Sequence, residues 1–187
     1  MQNRKSKGRG ALRMGLYLIE SSLSGIVASK EEVNEKAEQL QTSLTEAQTT
    51  LIELQVSKDF SRSFFIVEGK DQSSVSDLLK SAGLPIQLVK EVRLVGKDLD
   101  HVKKNSELVN YLVEWNNPEN ITMEQYLERK KKNSVHYQEV PEVTFSRTYV
   151  CEDMSKCLCF YDAPDEEAVK RARQAVQTPI DSITEIL

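Results

Sequence analysis

The chain has 187 residues, of which 39% are hydrophobic, and its formal net charge is −4. This length suffices for one large domain or two small ones, and no apolar run approaches the 18 residues that a membrane-spanning helix requires. The negative balance argues against general nucleic-acid binding, so we expect neither a membrane nor a nucleic acid as partner.

The N-terminal segment differs in charge from the rest of the chain. Five of the 25 lysine and arginine residues and no acidic residue fall within residues 1–13, which leaves 20 basic and 29 acidic residues, a net of −9, for the remainder. The segment lacks the apolar stretch of a signal peptide, and we predict a disordered basic extension. The three cysteines, all within residues 151–159, form an odd count, which together with the missing signal predicts a reducing cytoplasm.

The first predicted unit spans residues 14–96. Apolar, β-branched or alternating residues predict strands at 16–20, 51–56, 64–67 and 88–95. A capping pattern at Ser29 and Glu32 starts the first helix. A second helix is predicted from Asp71 to Ala82, closed by Gly83. Residues 97–107 are polar and charged, and we predict that they form a linker.

The second predicted unit, residues 108–187, follows the same order. Strands are predicted at residues 111–115, 145–150 and 157–161, and Ile183 and Ile186 lie in a closing strand. Thr122 and Gln125 form another capping box, and the lysine run that follows is interpreted as a solvated helix end. A second helix begins after Asp165 and ends before Pro179, because proline cannot continue a helix.

A shift of 94 residues brings the two units into register. The sequence YLIE at residues 17–20 then meets YLVE at 111–114, and the Pro-Ile step at 85–86 meets the one at 179–180. We interpret this as a two-fold internal repeat. Each unit has the order β-α-β-β-α-β, which is typical of ferredoxin-like folds. The predicted class is therefore α+β, with two tandem ferredoxin-like units. Each unit leaves one sheet face uncovered, so we predict that the sheets pack together as in a pseudo-dimeric α/β barrel.

The C-terminal segment TYVCEDMSKCLCFYDAPDEEAVKRA, followed by PIDSITEI, resembles a family of small bacterial ferredoxin-like proteins, some of which bind nickel. The resemblance covers about the last 80 residues, and it implies a metal-binding or small-ligand-binding role. In that family a glutamate, a histidine and a cysteine on three successive strands are the candidate ligands. Glu114 and Cys159 match two of them, but Arg147 stands at the histidine position. The matching positions of the first unit hold Glu20, Glu53 and Phe65.

Alternation along the strands assigns each side chain to a sheet face. We assign Leu158 and Phe160 to the face that packs on the helices. The opposite, open face is predicted to carry Leu112, Glu114, Arg147, Tyr149, Cys151, Cys157, Cys159 and Tyr161 from the second unit, and Leu18, Glu20, Glu53, Gln55, Ser63, Phe65 and Val67 from the first.

These faces predict one semi-buried cleft between the sheets. Glu114 and Cys159 are its candidate ligands for nickel or another divalent transition metal. Arg147, Tyr149, Glu20 and Glu53 are its candidate contacts for a small ligand. No catalytic residue is assigned, and whether the chain self-associates stays open.

Each candidate also has a structural interpretation. Cysteines on strands are often small buried apolar residues, and Arg147 can simply pair with Glu53 or Glu114. Tyr149 can pack at the interface, and both His101 and His136 are predicted at the surface. Three functions follow: a non-catalytic metal-binding or small-ligand-binding protein, a structural or protein-binding module, and a small-molecule enzyme of the dimeric α/β-barrel kind. The enzyme is disfavoured because neither histidine falls on the cleft.

Overall fold

The computed structural model describes residues 13–105 and 107–187. Apart from Arg13, the predicted basic extension lies outside the described residues. The first half contains β1 (Gly15–Ser22), α1 (Lys30–Glu46), β2 (Thr50–Val56), β3 (Arg62–Gly69), α2 (Gln72–Ser81) and β4 (Ile86–Val95). The predicted linker holds a short helix, α3 (Leu99–Lys104). The second half contains β5 (Tyr111–Asn116), α4 (Met123–Asn133), a 3-10 turn (Ser134–Glu139), β6 (Thr144–Cys151), β7 (Lys156–Asp162), α5 (Glu166–Ala175) and β8 (Ser182–Glu185).

The described strands form one antiparallel eight-stranded sheet, in the order β2-β3-β1-β4-β6-β7-β5-β8. Each half contributes four neighbouring strands, and the pairing of β4 with β6 joins them. The two ends of this order also meet, because Ser57 and Ile186 form an isolated bridge. Beside it, the Leu187 amide donates to the Val56 carbonyl at 3.0 Å. The predicted α+β class is confirmed, and both halves contain the predicted order of strands and helices.

Helix caps and turns recur in the two halves at corresponding positions. Asp71 and Asp165 cap α2 and α5, each accepting a hydrogen bond from a backbone amide at 2.8 Å, as N-cap aspartates do. The β2–β3 and β6–β7 turns place Phe60 and Met154 at φ values of 60° and 62°. In each turn the preceding aspartate accepts hydrogen bonds from the following serine. Within residues 13–105 and 107–187, no helix has the length and apolarity needed to cross a membrane.

Three clusters of buried residues fill the space around the sheet. One packs α1 and α2 against the first half, and a second packs α4 and α5 against the second half. The third lies on the other face of the sheet and combines strand residues of both halves. Its members include Leu18, Phe64, Ile66, Val92, Leu112, Tyr149, Leu158 and Phe160. We call this third cluster the central core.

The structure corrects the faces predicted for β3 and β7. In β7, Leu158 and Phe160 belong to the central core, whereas Cys157, Cys159 and Tyr161 pack on the helix side. In β3, Phe65 and Val67 likewise face the helices, and Ser63 shares their parity. Both faces of these strands are buried, so apolar residues occur on both faces. Alternation alone therefore cannot say which face meets the helices.

Candidate functional site

Arg147 and Glu53 form a bidentate ion pair on the central face of the sheet. Arg147 Nε and Nη2 donate to the two carboxylate oxygens at 2.9 and 2.6 Å. The Tyr149 hydroxyl donates to the same carboxylate, and the guanidinium carbon lies 4.9 Å from the centre of the Phe160 ring. The two charged side chains are only 5% and 9% exposed. Burial, and then the charge of Glu53, raise the pKa of Tyr149, so its hydroxyl remains a donor at neutral pH.

A second group of charges joins the two halves elsewhere on this face. Arg62 donates to both oxygens of Glu114 at 2.8 and 3.1 Å. Lys156 donates to Glu114 at 3.0 Å and also to Glu20, and Ser182 donates to Glu114. Two carboxylates and two cations balance each other, so the cluster is neutral.

Glu114 is held ionised by this cluster. Burial by itself would raise the pKa of Glu114, but hydrogen bonds from Arg62 and Ser182 and the charge of Lys156 lower it to about 2. Each of the two carboxylate oxygens of Glu114 therefore already accepts two hydrogen bonds from protein donors. Of the residues predicted to contact a ligand in the central cleft, Arg147, Tyr149 and Glu53 contact one another, and Glu20 contacts Lys156 and Arg62.

The structure separates the two predicted metal ligands. Glu114 lies on the central face. Cys159 of β7 lies opposite Val113 of the neighbouring strand β5 and packs on the helix side. The Thr148 hydroxyl donates to its Sγ at 3.2 Å. The prediction that Glu114 and Cys159 share a cleft is therefore wrong. Across residues 13–105 and 107–187, no three His, Cys, Asp or Glu side chains lie where they could hold a metal ion. These residues do not fit the nickel site implied by the resemblance.

On the helix side of the second half, Arg173 of α5 is buried without a carboxylate. The residue is 2% exposed, and in the described part of the chain no acidic side chain lies within ion-pair distance of it. Its Nη1 donates to the Tyr161 hydroxyl at 3.2 Å and to Cys159 Sγ at 3.4 Å, and its Nη2 donates to the Pro179 carbonyl at 2.5 Å. Its Nε atom is buried and has no hydrogen-bond partner among the described residues.

Thiols and phenols surround this guanidinium. Tyr137 and Tyr161 are hydrogen-bonded through their hydroxyls at 2.7 Å. A hydrogen bond with Cys157 lowers the pKa of Cys159 against the effect of burial, and the charges of Lys130 and Arg173 lower it further. All three cysteines of the chain are free and buried. The group is therefore polar, but among the described residues it includes no carboxylate to pair with the guanidinium, and Cys159 is its candidate for a negative charge.

A small cavity of about 20 Å³ opens beside Arg173. We call it the arginine pocket. Its walls include Trp115, Arg129, Lys130, Ser134, Tyr137 and Arg173, and none of its lining residues is acidic. Arg129 donates to the Gln177 carbonyl, and its guanidinium carbon lies 5.5 Å from the centre of the Trp115 ring. Three cations therefore border one small cavity.

A wider groove of about 630 Å³ adjoins the pocket. We call it the lysine groove, and its walls include Val95, Leu127, Lys130, Lys131, Val143 and Phe145. Tyr137 stacks on Phe145 with a 5.2 Å centroid distance, and Lys130 Nζ lies 4.3 Å from the centre of the same ring. Lys130, Ser134 and Tyr137 line both cavities, so the pocket and the groove are adjacent.

Arg173 was not among the site residues predicted from the sequence, although a signal was present. Val169, Arg173 and Val176 recur at the spacing of one helix face, so the arginine stands where a buried apolar residue is expected. Lys130 belongs to the lysine run interpreted as a solvated helix end. That interpretation missed its contact with Phe145, because the ring comes from a strand that lies 15 residues further along the chain.

Comparisons with known proteins give a partial family match and a shared fold. A family model described as nickel responsive protein SCO4226-like matches residues 111–186, which is less than half of the chain. No curated protein matches. The solved structure of SCO4226 from Streptomyces coelicolor A3(2) is 18% identical and covers 41% of this chain and 93% of its own, with a TM-score of 0.36.

Two solved structures resemble nearly the whole chain. One is TA0507, described as a candidate chlorite dismutase, at 11% identity, with 93% of this chain and 94% of that chain covered and a TM-score of 0.54. The other is a heme-binding protein from Thermus thermophilus, at 10% identity, with 94% and 92% covered and a TM-score of 0.51. At these identities the similarity establishes the fold alone.

Proposed function

We propose that this chain is a non-catalytic small-ligand-binding protein and that its ligand binds in the lysine groove of the second half. The observation that carries the proposal is the groove itself. It combines a stacked aromatic floor at Tyr137 and Phe145 with a cationic rim at Lys130 and Lys131. A concave, mostly apolar site with a few convergent polar groups is the usual form of a small-molecule site. Its lining, as far as the structure describes it, includes no histidine and no carboxylate.

The scaffold in this proposal is a tandem pair of ferredoxin-like units that close into a pseudo-dimeric α/β barrel. Three observations support this arrangement. Caps and turns recur 94 residues apart, the two ends of the sheet order meet at Ser57 and Ile186, and the central core draws strand residues from both halves. Closure of a sheet removes its exposed edges, and the helices then lie outside.

The central face acts as structure rather than as a binding cleft in this proposal. Glu53, Arg147, Glu114 and Lys156 are each engaged by partners of opposite charge. A ligand entering there would have to replace these buried ion pairs, and breaking one costs about 3–5 kcal/mol. The lysine groove requires no such exchange.

The groove can be tested with a neutral apolar dye. Thr144 is exposed at the start of β6 and lines the groove, so Thr144→Trp should fill it. Thr50, the exposed first residue of β2, lies 94 residues earlier and provides the matched control. We expect Nile red fluorescence to rise with the wild-type protein and with Thr50→Trp, and to be lost with Thr144→Trp.

Near-ultraviolet circular dichroism should show that both tryptophan variants retain tertiary packing. Two results would reject the proposed site. One is a wild-type protein that does not bind the dye, and the other is equal binding by Thr144→Trp and Thr50→Trp.

A further inference from the structure

We infer that the ligand is an organic anion whose charged group binds Arg173 in the arginine pocket while its apolar body lies in the lysine groove. This inference rests on the proposed function and adds the chemical class of the ligand. It follows from the state of Arg173, from the corresponding position of the first half, and from the adjacency of the two cavities.

Arg173 differs from the other deeply buried arginine in its charge compensation. Arg147 is paired with Glu53 through two hydrogen bonds, whereas Arg173 contacts a carbonyl, a phenol and a thiol. A guanidinium has five N–H donors and is always charged, and burial without an anion is costly. The unpartnered Nε of Arg173 and the pocket that this residue lines therefore indicate a missing anionic group.

The first half shows that the fold does not need an arginine here. Helices α2 and α5 have the same length and both begin after a capping aspartate. Their eighth residues are Leu79 and Arg173. Leu79 is fully buried in the cluster that packs α1 and α2 on the sheet. Because a leucine satisfies the packing at this position, the arginine requires another explanation, and anion recognition by its planar fork of donors provides one.

The surrounding charges favour the same kind of ligand. Arg129 and Lys130 border the pocket together with Arg173, and no acidic residue lines it. Like charges that border one small cavity repel each other, so an anion bound there would be attracted by all three cations.

The shape of the site indicates that the ligand also has an apolar body. Lys130, Ser134 and Tyr137 are shared by the pocket and the groove, so one molecule can extend from Arg173 to the ring of Phe145. The groove walls are largely aliphatic and aromatic, and burial of apolar ligand surface there is favourable. A simple inorganic anion would leave this surface unused. An amphiphilic anion matches both parts.

Decanoate and decanol form a matched pair of probes, since they differ only in the charged group. Isothermal titration calorimetry should show decanoate binding to the wild-type protein about ten- to a hundredfold more tightly than decanol, the range of a charge-assisted hydrogen bond. Arg173→Leu should reduce this preference to less than about threefold and leave the affinity for decanol unchanged. Arg171→Leu removes an exposed arginine of the same helix, paired with Glu142, and should behave as the wild type.

The outcomes separate the inference from the proposed function. If neither probe binds the wild-type protein, the proposed function fails. If both bind with equal affinity, the groove stands and the anionic head group is rejected. Unchanged decanoate binding by Arg173→Leu would also overturn the inference. Should that variant not fold, Lys130→Met provides the second test, with a severalfold weaker affinity for decanoate and an unchanged affinity for decanol expected.

Discussion

Glu53 and Arg147 lie 94 residues apart, the same separation that aligns the two halves, and they bind each other as a bidentate ion pair. Equivalent positions of two repeats can meet only close to the axis that relates them. Under the proposed tandem arrangement this contact therefore marks the pseudo-two-fold axis. The two positions hold opposite charges, which a strictly symmetric dimer could not provide.

Removal of one member of this pair should be strongly destabilising. Arg147→Ala leaves Glu53 buried without its cation, and we expect a loss of about 3–5 kcal/mol in the free energy of unfolding. Urea denaturation at neutral pH measures this loss. In the double variant Arg147→Met with Glu53→Gln both charges are gone, so the loss should be smaller than that of Arg147→Ala. Unchanged stability of Arg147→Ala would show that the pair does not form in solution.

The Tyr149 hydroxyl should make the pair sensitive to alkaline pH. Burial and the charge of Glu53 raise the pKa of Tyr149 above its ordinary value near 10. A group with a raised folded-state pKa contributes stability that is complete below its unfolded pKa and is lost as pH rises towards the folded value. Urea denaturation at pH 8 and pH 11 should therefore show a smaller loss for Tyr149→Phe than for the wild type. Equal losses would indicate that this hydroxyl is exposed to solvent.

The loss of folding stability at acidic pH should depend on Glu114. Its pKa is lowered to about 2 in the folded protein from an ordinary value of 4.5. A lowered folded-state pKa gives stability that is present above the unfolded value and is lost as pH falls through the folded one. Between pH 7 and pH 3 the loss from this residue is about 2 kcal/mol.

Glu114→Gln cannot titrate, so this variant tests the assignment. Its urea midpoint should be lower than that of the wild type at pH 7, because Arg62 and Lys156 lose a partner. Between pH 7 and pH 3, however, its free energy of unfolding should fall by about 2 kcal/mol less than that of the wild type. Parallel profiles for the two proteins would place the acid sensitivity in other carboxylates.

The sequence predicted the positions of the strands and helices better than the sheet face on which each side chain lies. Local signals determine the caps at Ser29, Asp71, Thr122 and Asp165, and the structure has a helix after each of them. The faces of β7 depend instead on which of two apolar sets meets the helices. Cys159 and Phe160 are equally suited to burial, so the period of two could not decide between the faces, and the assignment of Leu158 and Phe160 to the helix side was wrong.

The arginine pocket could not be predicted from the sequence, for a related reason. Its walls come from β5, α4, the 3-10 turn and α5, which are brought together only by the tertiary fold. The Arg147–Glu53 pair could be predicted because the proposed repeat relates the two positions. A comparable internal comparison of Arg173 with Leu79 would have identified an unusual buried charge.

Reciprocal exchange of the eighth residues of α2 and α5 should affect stability unequally. Arg173→Leu removes an uncompensated buried charge and installs the residue that the first half uses, so its free energy of unfolding should stay within about 1 kcal/mol of the wild type or rise. Leu79→Arg places a guanidinium in the apolar cluster that also contains Leu40, Phe65 and Val75, and it should lose at least about 3 kcal/mol, the cost of an unpaired buried charge. Chemical denaturation of both variants under the same conditions provides the comparison. If Arg173→Leu proves as destabilising as Leu79→Arg, then Arg173 is a structural part of the second half, and its missing carboxylate is compensated within the folded chain by Cys159, Tyr161 and the Pro179 carbonyl.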